Sequence, residues 1–255
     1  MTDELADKES SRSAIILVIL AVLVAVIVVT HGLQTLIWAE ARMLGRSNPW
    51  LNDVPKPMTL AAPQSDKAKW VHVFLYQFKS PWGDATEKDS GTFLRLNFKP
   101  GQAIAFYDPA VQLDTIGSMK SSNPAAYQTF ANTFAGNPID TNYDLYKAIY
   151  SVSPSQLTPW LSSRDALRLN ALLIWKLGFG FDSGPGLYSF DTGQSRGFQF
   201  GNPASGRPVA LRLFDTHDRQ FRFTIVRTAG SSADITQQDV DTIIQSFEPI
   251  PLAER

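Results

Sequence analysis

The sequence predicts an α+β protein: a single N-terminal transmembrane helix, then one domain with a mainly antiparallel sheet, a helical insertion and a C-terminal helix packed on the sheet. Three observations carry this expectation. The run Ala14 to Val29, AIILVILAVLVAVIVV, has no polar side chain. Alternating strand patterns fall in two blocks separated by helical patterns, without the regular strand–helix alternation of a parallel sheet. The chain closes on TQQDVDTIIQSF, an amphipathic helix signal.

The polar tail, residues 1–13, carries four acids and two bases. A helix needs roughly 20 apolar residues to cross a bilayer. The span is therefore read as 14–36, with Trp38 as an interfacial aromatic and the helix running on to 44. A buried core helix is disfavoured, because an all-round apolar helix at a chain end has nothing to cover it. A cleaved signal peptide would carry a basic tail and a shorter apolar run. Ala39-Glu40-Ala41 fits a cleavage pattern but lies well past the run. The reading is an uncleaved single-pass signal-anchor. Lys8 and Arg12 on one flank balance Arg42 and Arg46 on the other, so charge does not set orientation. The domain is expected on the outer, periplasmic or extracellular, side.

Leu33, Leu36, Ile37, Ala41 and Leu44 form a stripe at helical spacing, and Gly45 is the expected stop. The stripe suits a helix lying against headgroups or its own domain; self-association through it is the sharper alternative. Residues 47–69 read as a linker, broken by Pro49, Pro55, Pro57 and Pro63. The globular domain is 70–255.

Trp70 to Phe78 reads as one strand, with Val71, Val73 and Leu75 on one face and Trp70, His72, Phe74, Tyr76 and Phe78 on the other. The following SPWGDATEKDSG reads as a loop. Thr92–Phe98 and Gln102–Tyr107 form a hairpin about Lys99-Pro100-Gly101. Asn123-Pro124 and Ser153-Pro154 each place a capping side chain before a proline at the first helical position. Gly136 is expected to end the first of these helices. Thr141 with Asp144 and Ser162 with Asp165 have capping-box spacing. The helix over 164–177 carries so wide an apolar arc that it is expected to be covered on most sides. Strands return at 187–190, 196–200, 209–214 and 220–226, the last two joined by the turn Asp215–Arg219. Thr236 and Asp239 then cap the final helix, and Ile235 can staple onto Val240.

After Arg46 the charge is balanced, 19 bases against 19 acids, which disfavours a nucleic-acid binder. With no cysteine there is no disulfide, thiolate metal site or cysteine nucleophile, and three histidines leave little for a histidine-rich centre. No cofactor or metal is implied. The glycine-rich stretch from Gly178 to Gly186 follows a helix and lacks the Lys-Ser/Thr of a phosphate loop, so it reads as a helix stop and turn.

Four residues stand out as ligand or partner contacts. His72 lies mid-strand among aromatics, where a partly buried, hydrogen-bonded histidine is the usual role. Asp182 sits in the glycine-rich stretch, placed to line a pocket. Arg212 and Arg222 fall on adjoining strands and are expected on the solvent face, where they meet anionic headgroups or an acidic partner or simply guard the sheet. His217, between Asp215 and Asp218, reads as a solvated turn. No hydrolase, zinc-protease, EF-hand or dinucleotide fingerprint occurs.

The closing hairpin and TQQDVDTIIQSFEP resemble the end of PsbP/Mog1-type domains. The long helical middle departs from them, so the resemblance implies no site. The expected function is a membrane-anchored, non-enzymatic domain that binds a protein partner or senses at the membrane surface. A small-ligand or lipid carrier, its pocket lined from sixteen phenylalanines and six tryptophans, and an enzyme of unrecognised type are the alternatives.

Overall fold

A computed structural model describes residues 31–63, 68–89, 93–107, 114–134, 138–178, 186–228 and 230–250. The tail 1–13, most of the predicted span 14–36, Gly136 and Asp182 lie outside them. No helix among the described residues is long and apolar enough to cross a membrane. The chain divides into two units: residues 1–52 with 153–174, and residues 53–152 with 175–255.

In the smaller unit, helix α1 covers 31–47. It passes Gly45, the expected stop, because that glycine is a packing point: a Cβ there would stand 2.8 Å from Pro154 Cγ. The predicted apolar stripe divides. Ile37 and Ala41 are buried with Gln34, whereas Leu33 and Leu36 face outward. A 3-10 turn, Pro49–Asn52, follows inside the predicted linker. It is pinned by Asn52, whose Nδ2 donates to the carbonyls of Gly45 at 3.1 Å and Pro49 at 3.0 Å. Ser153 caps the short 3-10 turn Pro154–Gln156 through a capping box with Gln156. Ser162 caps α5 (Ser163–Gly178), accepting the Asp165 N–H at 3.1 Å. Ala166, Leu172 and Leu173 of α5 are buried, but Leu167 and Ile174 are exposed. The wide apolar arc of this helix is thus not covered on most sides.

The larger unit is α+β with a mainly antiparallel sheet plus helices. Its strands are β1 (Lys56–Pro57), β2 (Lys69–Val73), β3 (Tyr76–Ser80), β4 (Ala85–Asp89), β5 (Phe93–Phe98), β6 (Gln102–Tyr107), β7 (Leu187–Asp191), β8 (Ser195–Phe200), β9 (Val209–Asp215), β10 (Gln220–Arg227) and β11 (Glu248–Pro249). Helices α2 (Thr115–Ser122), α3 (Pro124–Thr133) and α4 (Asn142–Ser151) lie between β6 and β7, and α6 (Gln237–Ser246) follows β10. Eight strands form one sheet in the order β1-β7-β8-β9-β10-β6-β5-β4, and three form another, β11-β3-β2. Every pairing is antiparallel except β1 with β7.

Two sequence expectations change here. The predicted strand 70–78 is a hairpin, with Val71 opposite Phe78 and Val73 opposite Tyr76. Phe74 takes a positive φ of 55° in the two-residue turn. The turn switches parity, so that odd-numbered Val71 and Val73 share the buried face with even-numbered Tyr76 and Phe78, a switch that apolar residues at both parities conceal in the sequence. The predicted loop after Ser80 contains β4, an edge strand of polar residues (ATEKD) whose pairing to β5 supplies what its composition does not.

The core lies between the two sheets and α6. Val209, Leu211 and Leu213 of β9 and Phe221, Phe223 and Ile225 of β10 meet Val240, Ile243 and Ile244 of α6. Phe247, just past α6, is the hub: its ring stacks on Tyr76 at 5.3 Å and packs on Phe221 at 5.1 Å. Burying a phenylalanine contributes about 1.5–3 kcal/mol relative to exposure. Thr236 and Asp239 make the expected reciprocal capping box of α6. On the opposite face of the large sheet, Tyr143, Tyr146 and Tyr150 of α4 cover Phe198, Phe200 and Phe214. Lys176 is buried and its Nζ donates to three carbonyls: Asp53 at 2.5 Å, Val152 at 2.7 Å and Tyr150 at 3.1 Å. Burial lowers its pKa to about 8.

Candidate functional site

The side-chain period of two places Arg196 and Phe198 of β8, Arg212 and Phe214 of β9, and Arg222 and Thr224 of β10 on the sheet face that α4 partly covers. Antiparallel register then aligns Phe198, Arg212, Arg222, Tyr107 and Phe93 at one level across β8, β9, β10, β6 and β5. Two arginines directly opposite repel unless something offsets the charge. Here tyrosine rings do so. The Arg212 guanidinium carbon lies 4.0 Å from the Tyr146 ring centroid and 6.0 Å from that of Tyr150. Arg196 sits 4.0 Å over Tyr143, and Arg222 4.9 Å over Tyr107. The ring quadrupole attracts each cation, by about 0.5–1 kcal/mol when exposed and more when dry.

The phenols of Tyr143 and Tyr150 stay neutral. Burial pushes Tyr150 far above the ordinary tyrosine value, the Arg212 charge pulling the other way. Burial likewise raises Tyr143, opposed by Arg196. The face is therefore positive at physiological pH.

The two central arginines differ in exposure. Arg212 is only 4% exposed, which corrects its expected place on the solvent face. Alternation alone put it opposite the leucines; α4 then covers that half of the second face. Arg222, as expected, is exposed. Arg95, Ala105 and Thr224 form the next row, all half-buried. Ala105 and Thr224 are short side chains, and the Phe93 and Tyr107 rings, 6.1 Å apart, lie in the adjoining row beside Arg222. Arg95 Nε donates to Asn97 Oδ1 at 2.9 Å. Neither Arg196 nor Arg222 forms an ion pair with a described residue.

Among the described residues, the other expected site residue, His72, is not part of this surface. His72 is on β2 of the smaller sheet, opposite Gln77, and is exposed instead of partly buried, because the hairpin turns its side chain outward. Asp182 lies outside the described residues. His217 is exposed, as its turn suggested, but its acidic neighbours are engaged. Asp215 accepts from the His217 and Arg219 N–H groups, both at 2.9 Å, and pairs with the Arg219 side chain at 2.7 Å. Asp218 caps α4, accepting from the N–H groups of Asn142 at 2.5 Å and Tyr143 at 3.1 Å.

Sequence reasoning missed Arg95, Tyr107, Tyr143 and Tyr146. A signal was there: Tyr143, Tyr146 and Tyr150 stand at i, i+3 and i+7, one face of a helix. Described residues also line two open clefts in the larger unit. One, about 380 Å³, runs beside Asp191, Arg196 and Thr216; the other, about 480 Å³, beside Asp53, Tyr188 and Asn202. Among the described residues, no three histidine, aspartate or glutamate side chains gather to hold a metal. Comparison with family models, curated proteins and solved structures finds no match.

Proposed function

We propose that this chain is a membrane-anchored, non-enzymatic binding domain that holds an acidic segment of a protein partner on the β10–β6–β5 part of its large sheet. The supporting observation is Arg222: exposed, its guanidinium carbon 4.9 Å from the Tyr107 ring centroid, without a described carboxylate partner, and one row from Arg95. An exposed guanidinium offers its N–H edge for bidentate pairing to a carboxylate, and an attractive ring beside it reduces the entropy lost on binding. The span over 14–36 supplies the anchor, and the domain works on the outer side of the membrane.

A photo-crosslinking amino acid at Thr224, in the full-length protein in its own membranes, tests this. The expected result is one predominant protein adduct, lost with Arg222→Glu and absent when the crosslinker is moved to Arg207. An adduct indifferent to Arg222→Glu, or none at Thr224, overturns the reading.

A further inference from the structure

The first turns of α1 are inverted relative to a helix in water. Gln34 is 5% exposed, whereas its neighbours Leu33 and Leu36 are 48% and 71% exposed. Gln34 Nε2 donates to Ser163 Oγ at 2.8 Å, and the Thr35 hydroxyl to the His31 carbonyl at 2.9 Å. Polar groups turned inward and paired, with leucines outward, suit a helix face against hydrocarbon. The smaller unit also exposes Met43, Trp160, Leu167 and Ile174, Trp160 to 69%. The much longer larger unit exposes only Val54, Trp70, Phe74, Leu75 and Trp175 among its described large hydrophobic side chains. Apolar exposure so concentrated marks a contact surface.

Chain geometry says what covers it. As a helix, the run Ala14 to Val29 would reach about 24 Å at 1.5 Å per residue, short of the hydrocarbon thickness of about 30 Å. The next turn, His31 to Gln34, must then lie at the hydrocarbon edge. Trp160 is fastened there, its ring edge-on to His31 with centroids 5.7 Å apart. Tryptophan is the side chain that favours this layer, with its apolar rings and single N–H donor. Further along α1, Glu40, Arg42 and Arg46 are exposed, and bases beyond the hydrocarbon edge suit the anionic headgroup layer.

We infer that Trp160 and the start of α5, with the first turns of α1, form a second, interfacial membrane contact whose occupant is the acyl–headgroup boundary of the bilayer. This rests on the reading of 14–36 as a span. The chain has no cysteine, so single introduced cysteines carry nitroxide labels without background. Trp160→Cys and Leu167→Cys test the surface in full-length protein reconstituted in phosphatidylcholine vesicles. Val22→Cys reports the span, and Ser121→Cys, exposed on α2, is the polar reference. At 160 and 167, collisions with oxygen should exceed those with a nickel chelate, relative to position 121, and position 22 should lie deeper still. A label at 22 in lipid with 160 and 167 like 121 overturns this inference and leaves the anchor standing. All four positions open to the chelate overturn both. Spin–spin broadening at 160 that disappears on dilution with unlabelled chain puts a second copy on this face, and also overturns it. Ser162→Cys, exposed beside Trp160, carries the same measurement if Trp160→Cys does not fold.

Discussion

Asp218 binds Asn142 across 76 residues of chain, its Oδ2 accepting both the backbone N–H at 2.5 Å and the side-chain Nδ2 at 3.0 Å. Asn142 Oδ1 in turn accepts from the Ile116 N–H at 3.1 Å, and its Nδ2 also donates to Asp114 Oδ1 at 2.8 Å. The tip of the β9–β10 hairpin thereby fixes the start of α4, and with it the tyrosines that cover Arg196 and Arg212. A carboxylate at a helix N-terminus also meets the positive end of the helix dipole.

Removing this carboxylate should loosen the whole arrangement. Asp218→Ala should cost about 2–3 kcal/mol, since it leaves helix N–H groups without their acceptor. Asp218 has a φ of 61°, a region that asparagine tolerates better than alanine. Asp218→Asn, which also keeps one acceptor oxygen, should therefore lose clearly less. Urea unfolding of the two variants checks the order.

Arg212 and Arg222 are cross-strand partners but should respond oppositely to truncation. Arg222→Ala removes an exposed side chain and should shift stability by no more than about 0.5 kcal/mol. Arg212→Ala empties a buried site under Tyr146 and should cost about 2–3 kcal/mol. Equal thermal shifts for the two variants would contradict the burial difference.

Gly197 has no room for a side chain. A Cβ there would collide with the Arg212 carbonyl oxygen and stand 2.8 Å from Phe190 Cζ. Backbone in a central strand pair does not yield cheaply, so Gly197→Ala should destabilise by more than about 3 kcal/mol. Chemical denaturation would show it as a lower midpoint or as failure to fold.

Lys176 gives a pH test. Its folded pKa, lowered to about 8, lies below the ordinary 10.5, so between those values the unfolded chain binds more protons than the folded one. Stability contributed by this residue therefore rises as pH climbs through that window. Relative to Lys176→Met, which leaves three carbonyls without their donor, the native protein should gain stability from pH 8 to 10. A stability difference that is flat or falls over that range would show the ammonium to be as well held in the fold as in water.

Local chemistry makes much of this fold legible in the sequence itself. The caps at Asn123, Thr141, Ser162 and Thr236 are side-chain events written within four residues, and all four form. The β5–β6 and β9–β10 hairpins carry their turns in the sequence. What stays hidden is tertiary. Nothing local says that α4 lies over β8 and β9, so Arg212 reads as a surface residue. Over 70–78 apolar side chains stand at both odd and even positions, which hides the change of parity that the tight hairpin makes between Val73 and Tyr76. The row that joins Arg95, Ala105 and Thr224 exists only once β10 pairs with β6 and β6 with β5.

The alignment of Arg212 with Arg222 also guards the fold against error. Slipping β9 by one residue would turn Arg212 in among Phe221, Phe223 and Val240 and push Leu211 and Leu213 under the tyrosines of α4. A hydrophobic strand in an all-apolar setting tolerates such a shift at little cost, but an unpaired guanidinium in a dry core does not. The buried arginine thus acts as a proofreader of strand alignment, setting the misregistered sheet well above the native one in free energy.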